Sequence, residues 1–128
     1  MQKGLVLDYA GVLTDPGADE LYGYVQGLRE RGVRTALLSN APGASAEAKR
    51  SLSPYFDALV FSGEVGVAKP HREVYLLTAG LLDLPAGRCV FVDDAAVNVR
   101  GAVEAGMAGV HHTSVETTLT ELGALFPT

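Results

Sequence analysis

Gly4-Leu5-Val6-Leu7-Asp8-Tyr9-Ala10-Gly11-Val12-Leu13-Thr14 reads as a short buried strand that ends in a carboxylate and turns at once through small residues. An apolar run with no polar alternation belongs to a strand covered on both faces, and such strands occur in parallel sheets fed by helices. The strand is expected at Leu5–Asp8, and similar runs follow at Arg34–Ser39, Ala58–Phe61, Cys89–Val92 and Ala108–His111. Between them lie helical stripes: Leu21, Val25 and Leu28; Val74, Leu77 and Leu81; Val99 and Val103; and Leu119, Leu122 and Leu125. Turn residues mark the joints at Thr14-Asp15-Pro16-Gly17, Gly32, Ala41-Pro42-Gly43 and Pro85-Ala86-Gly87. The pattern predicts an α/β fold: a single doubly wound Rossmann-like domain with a mainly parallel five-stranded sheet.

The rest of the composition narrows the possibilities. A chain of 128 residues, 48% apolar, fits one packed domain, taken as residues 1–128. The net charge is −5 and the basic residues are scattered, so nucleic acid is not an expected partner. Asp8 interrupts the N-terminal apolar stretch before a signal-peptide core could form. No segment approaches the roughly 20 apolar residues of a spanning helix, so no membrane partner is expected. The lone Cys89 beside a Val-Phe-Val run suits a buried strand position and a reducing, cytoplasmic setting.

Right-handed crossovers bring the carboxyl ends of parallel strands to one sheet edge, making Asp8, Ser39, Asn40, Asp93 and Asp94 candidate neighbours. Each has a structural reading as well as a functional one. Asp8 could be a turn or capping residue, and Ser39-Asn40 an Asx-turn before Pro42-Gly43. Asp93-Asp94 opens a helix, whose dipole would favour one carboxylate, yet two adjacent acids repel. A hard cation such as Mg²⁺, shared with Asp8, would relieve that repulsion. Lys69, before Pro70 at a helix start, is the cation such an acidic site needs to hold an anionic group. Lys49 reads as solvated, and His71, His111 and His112 read as structural or rim residues, without a third metal ligand at recognisable spacing.

With these residues in place, the chain resembles the haloacid dehalogenase superfamily over nearly its whole length. Asp8 to Thr14 is similar to the first motif of that family, Leu38-Ser39-Asn40 to the second, Lys69-Pro70 to the third, and Val92-Asp93-Asp94 with Asn98 to the fourth. The resemblance implies a Mg²⁺-dependent hydrolase, chiefly a phosphatase, working through an aspartyl-phosphate. It implies that Asp8 attacks phosphorus. Asp8, the backbone carbonyl of Ala10, Asp93 and Asp94 would bind Mg²⁺. Ser39, Asn40 and Lys69 would hold the phosphoryl group, and Asn98 would orient the acidic loop or Lys69.

Ala10 is the departure, because phosphatases of the family place there the aspartate that acts as general acid and then base. Such help is worth about 10²–10⁴-fold in rate, so activity should be impaired or selective for good leaving groups. The alternative is a regulatory protein that binds phosphate or metal with little turnover. The spacing between motifs leaves no room for a cap domain. Cap-less relatives have open sites, which accept a small phosphorylated substrate or a phosphorylated macromolecule, or are covered by a second subunit in a homo-oligomer. A two-component receiver would need its acidic pair after the first strand, and a flavodoxin-like role would need a phosphate-cradling loop after Asp8.

Overall fold

Gly4–Leu7 forms β1 with all four residues buried, as an unbroken apolar run requires of a strand covered on both sides. A computed structural model describes residues 2–128. After β1 the chain forms α1 (Ala18–Glu30), β2 (Arg34–Ser39), α2 (Ala46–Leu52), β3 (Ala58–Phe61), α3 (Ser62–Val65) and α4 (Arg72–Leu81). It ends with β4 (Cys89–Asp93), α5 (Ala96–Glu104), β5 (Ala108–His111) and α6 (Val115–Leu125). The expected strands form, with two shifts: β4 runs one residue further, through Asp93, and β1 is Gly4–Leu7, so Asp8 sits just past it with its N–H donating to the Val92 carbonyl at 3.0 Å.

The five strands run in the order β3-β2-β1-β4-β5, and every pairing is parallel. The chain winds outward from β1 to β3, then crosses to β4 on the other side of β1. The reversal lies between β1 and β4, where the connections leave a crevice beyond the strand ends in opposite directions. Register brings Leu7 opposite both Leu37 and Val92, so the residues that follow each strand end meet in this crevice.

Side-chain alternation divides the core between the two faces. Leu5 and Leu7 pack with Leu21, Val25 and Leu28 of α1 and Leu122 of α6. Val6 packs on the other face with Val74, Tyr75 and Ala79 of α4 and Ala102 of α5. Residues 8–17 link β1 to α1 and residues 62–71 link β3 to α4, and neither link carries an inserted cap.

Two of the expected helical stripes are rotated. In α4 the buried face is Val74, Tyr75, Thr78 and Ala79, while Leu81 is 58% exposed in the last turn. In α5 the buried residues are Gly101 and Ala102, and Val103 is 53% exposed. Close approach explains the second case: a Cβ at Gly101 would lie 2.7 Å from the Pro70 carbonyl oxygen and 3.0 Å from Tyr75 Oη, so small residues face α4. Val99 and Val103 instead lean over edge strand β5, where a Cβ at Gly109 would come within 2.9 Å of both.

Candidate active site

Lys69 is the centre of the polar cluster at the crevice. Its Nζ donates to Asp8 Oδ1 at 2.8 Å, Asp93 Oδ2 at 2.9 Å and the Leu38 carbonyl at 3.0 Å. Its side chain is 2% exposed. A lysine is buried this deeply only when its charge and all three donors are answered, and these three acceptors answer them. The cation also lies 5.5 Å from the centroid of the Phe91 ring. The expectation of a helix start at Lys69 is corrected: Lys69 and Pro70, joined by a cis peptide, lie in the turn before α4.

Asn40 fixes that turn. Its Nδ2 donates to the Lys69 carbonyl and its Oδ1 accepts from the Lys69 N–H, both at 2.9 Å. The Asn40 amide is thereby committed to the backbone that carries the lysine. Ser39, the last residue of β2, is 8% exposed beside it.

The two acids at the end of β4, Asp93 as its last residue and Asp94 just past it, have different surroundings. Asp93 is fully buried: Oδ1 accepts from the Ala95 N–H at 2.8 Å, and Oδ2 accepts from Lys69 and from Asn98 Nδ2 at 3.1 Å. Asn98 is steadied in turn by Tyr75, whose hydroxyl donates to the Asn98 carbonyl at 2.7 Å. Asp94 is exposed, its carbonyl lies 2.9 Å from His111 Nε2, and its carboxylate rests against Gly11. Gly11 has φ of 82°, and a Cβ there would fall on the Asp94 carboxylate, so this close approach requires glycine twice over. Asp8, Asp93 and Asp94 each bring an oxygen within 4.8 Å of the others, a hard-oxygen set of the kind that suits Mg²⁺.

The Asp8 carboxyl is raised on balance from 3.8 to about 6, and burial is the largest influence. Within that balance the hydrogen bond and charge of Lys69 oppose the rise, and the Asp93 charge adds to it. A carboxylate so placed is poorly solvated and close to a cation, a setting that favours nucleophilic use once an electrophile is brought to it.

The remaining candidates lie outside this cluster. Lys49 forms an exposed pair with Glu64 at 2.7 Å. His112 is 3% exposed and spans Thr118 Oγ1 at 2.6 Å and Asp15 Oδ2 at 2.7 Å, tying the loop after β1 to α6. His71 precedes α4 without a side-chain cap, and Cys89 is buried, its thiol pushed up to about 11.

Sequence reasoning missed one feature beside the cluster. A groove of about 810 Å³ runs from Tyr9 and Ser39 between α1 and α2, walled by Tyr22, Tyr55, Leu52 and Phe61. Its only signal in the sequence is a run of small residues, Ala41, Gly43, Ala44 and Ala48, which reads equally well as turn and helix.

Comparison with known proteins fits this geometry. A family model described as "Hydrolase: haloacid dehalogenase-like hydrolase" matches residues 6–106. A crystal structure of an uncharacterized protein from Corynebacterium glutamicum is 38% identical, with a TM-score of 0.89 over 96% of this chain and 93% of that one. A pyrimidine 5′-nucleotidase of Escherichia coli is 35% identical over 105 residues, which are 76% of this chain and 45% of the nucleotidase. A HAD family enzyme of Bacteroides thetaiotaomicron, solved with magnesium and inorganic phosphate, is 16% identical and shares the fold, with a TM-score of 0.67 over 90% of this chain and 96% of that one. The chain spans less than half the length of the curated relatives it matches.

Proposed function

The chain belongs to the haloacid dehalogenase-like hydrolases, and from that membership we propose that it is a Mg²⁺-dependent phosphatase-type hydrolase whose nucleophile is Asp8. The observation that carries the reading is the bridging of Asp8 and Asp93 by buried Lys69 at the β1–β4 reversal. No structural need explains placing two carboxylates and a lysine at the open end of a sheet rather than apolar residues, since a buried ion pair is seldom a net gain in stability.

In the proposed reaction a carboxylate oxygen of Asp8 forms a bond to phosphorus while the bond from phosphorus to the leaving oxygen breaks. The leaving group takes the electron pair. Lys69, with Ser39 beside it, compensates charge on the phosphoryl oxygens; Asn40 acts through Lys69 by holding its backbone. Asp93 holds Lys69 and is itself held by Asn98. Asp8, Asp94 and the Ala10 carbonyl would hold Mg²⁺, with Asp93 contributing its charge. When bound, the ion would supply charge neutralisation that lets an anionic nucleophile approach an anionic phosphate.

Ala10 provides no proton to the leaving group and takes none from water. Leaving groups that depart as stable anions therefore react best, and release of phosphate from Asp8 is the slow half of the cycle. The relatives named as a nucleotidase and as phosphatases support a small phosphorylated substrate. The chain forms one core domain, and its buried free thiol suits the cytoplasm. Ala10 also favours a second reading, a phosphate-binding regulator with negligible turnover.

Mg²⁺-dependent hydrolysis of acetyl phosphate, an aryl phosphate and an alkyl phosphate separates the two. The enzyme reading expects turnover of the first two, loss of it in Asp8→Asn, and little of the third. Turnover retained in Asp8→Asn contradicts the assigned nucleophile, and no turnover of any with Mg²⁺ still bound favours the regulator.

A further inference from the structure

The groove between α1 and α2 is lined by residues adjoining the polar cluster. Tyr9 follows Asp8 directly and Ser39 ends the neighbouring strand, and both line its mouth. Beyond them the walls are aromatic and aliphatic: the rings of Tyr22 and Tyr55 meet at 4.7 Å and 60°, with Leu37 and Phe61 beneath. Burial raises the Tyr22 phenol, and the proximity of Tyr9 and Tyr55 adds to the rise, as expected of a poorly hydrated cluster.

Charge limits what could lie there. Among the described residues the groove lining contains one charged side chain, Asp19, and no Lys or Arg. Lys49 stands beside the lining, 5.6 Å from the Phe61 ring centroid, but is already paired with Glu64 at 2.7 Å, so a second phosphate or carboxylate would have to compete for it, whereas a flat apolar group would find tyrosine faces on which to stack. Small residues on both flanks, Gly23 of α1 and Ala48 of α2, leave the width open.

We propose that this groove is the subsite for the leaving group and that it takes an aromatic ring, making aryl phosphate monoesters with an uncharged or cationic ring the substrate class. The inference rests on the phosphatase-type reading above and deepens it. The two agree chemically: an aryloxide departs without the proton that Ala10 cannot give, so the group the groove would hold is the group the catalytic defect tolerates.

Gly23 supplies the test, because a Cβ built there meets nothing within 4 Å and a larger residue can fill the groove without disturbing the helix. The probes are 1-naphthylphosphonate and methylphosphonate, whose carbon–phosphorus bonds offer no leaving oxygen, titrated calorimetrically into the full chain with Mg²⁺. The naphthyl compound is expected to bind at least about tenfold more tightly, from the ring area removed from water. Gly23→Leu should bring that ratio close to one. Gly27→Leu, on α1 but outside the groove and also with open space at its Cβ, should leave the ratio as it is.

Equal binding of the two probes, or a preference that survives Gly23→Leu, overturns the groove assignment and leaves the phosphatase-type reading standing. Failure of both probes to bind overturns that reading and this inference with it. Should Gly23→Leu not fold, Ala48→Leu fills the groove from the opposite wall and is judged by the same ratio.

Discussion

Lys69 Nζ lies 2.8 Å from Asp8 Oδ1, and the lysine reaches that carboxylate from a turn 61 residues further along the chain. Asp93, from a third segment, holds the same nitrogen at 2.9 Å. The arrangement is a buried triad of charges in which each carboxylate depends on one cation, and the stability and chemistry of the crevice both pass through it.

Removing the cation should therefore cost more than removing an ordinary surface charge. Lys69→Met leaves Asp8 and Asp93 facing each other with their common partner gone, and breaking a buried pair in this way costs about 3–5 kcal/mol. Urea denaturation at neutral pH should show a loss of that size, and Lys69→Met,Asp8→Asn should recover part of it. Additive losses in the double variant would argue that the three charges do not act as a unit.

Asn40 should behave as a positioning residue. Asn40→Ala deletes both hydrogen bonds to the Lys69 backbone, a loss of about 1–3 kcal/mol if the peptide groups stay buried. The expected kinetic signature with an acyl phosphate is a fall in kcat, partly restored by Asn40→Asp, which keeps the acceptor for the Lys69 N–H. A rise in KM with kcat unchanged would instead indicate that Asn40 only helps to hold the substrate.

Gly11 should control the geometry of Asp94. Gly11→Ala combines positive φ, which costs about 1 kcal/mol outside glycine, with a Cβ placed on the Asp94 carboxylate. Gly17 shares the positive φ but has open space around it, so Gly17→Ala isolates the backbone cost. Mg²⁺ titration should show weakened binding in Gly11→Ala and little change in Gly17→Ala. Equal Mg²⁺ affinity in both would remove Asp94 from the proposed ligand set.

The raised Asp8 carboxyl makes a prediction about pH in metal-free protein. Between its unfolded value of 3.8 and the folded value of about 6, the native state binds more protons at this site than the unfolded state. The contribution of Asp8 is thus most favourable below about pH 4 and declines as pH rises through about 6. Asp8→Asn, which cannot ionise, should gain stability relative to the parent between pH 4 and 7. Thermal unfolding at several pH values without Mg²⁺ checks this, and a difference that is flat or of opposite slope would contradict it.

The sheet was legible in the sequence because strands buried on both faces leave uninterrupted apolar runs, and the joints between them carry Gly and Pro. The faces of α4 and α5 were not, since Gly101 and Ala102 rather than the larger valines form the contact with α4. Apolar size is a poor guide where helices approach closely. At the site, Lys69 was marked by the charge an acidic cluster needs, and strand ends identified which carboxylates meet, as Asp8 and Asp93 do. They could not foretell that Asn40 would spend its amide on the Lys69 backbone, because that pairing depends on a turn conformation with no pattern of its own. The groove was hidden for a related reason: Tyr22 and Tyr55 are 33 positions apart, and only the contact of α1 with the turn after α2 makes them one wall.

The central claim is that the crevice captures a phosphoryl group on Asp8 and, lacking an acid at Ala10, releases it slowly. Intact-protein mass spectrometry after brief incubation with acetyl phosphate and Mg²⁺ tests it most directly. A single phosphoryl adduct should accumulate, vanish in Asp8→Asn, and decay faster in Ala10→Asp, by about 10²-fold or more if the new carboxylate reaches the hydrolytic water. A folded, Mg²⁺-binding protein that forms no adduct, or one whose adduct persists in Asp8→Asn, would contradict the account.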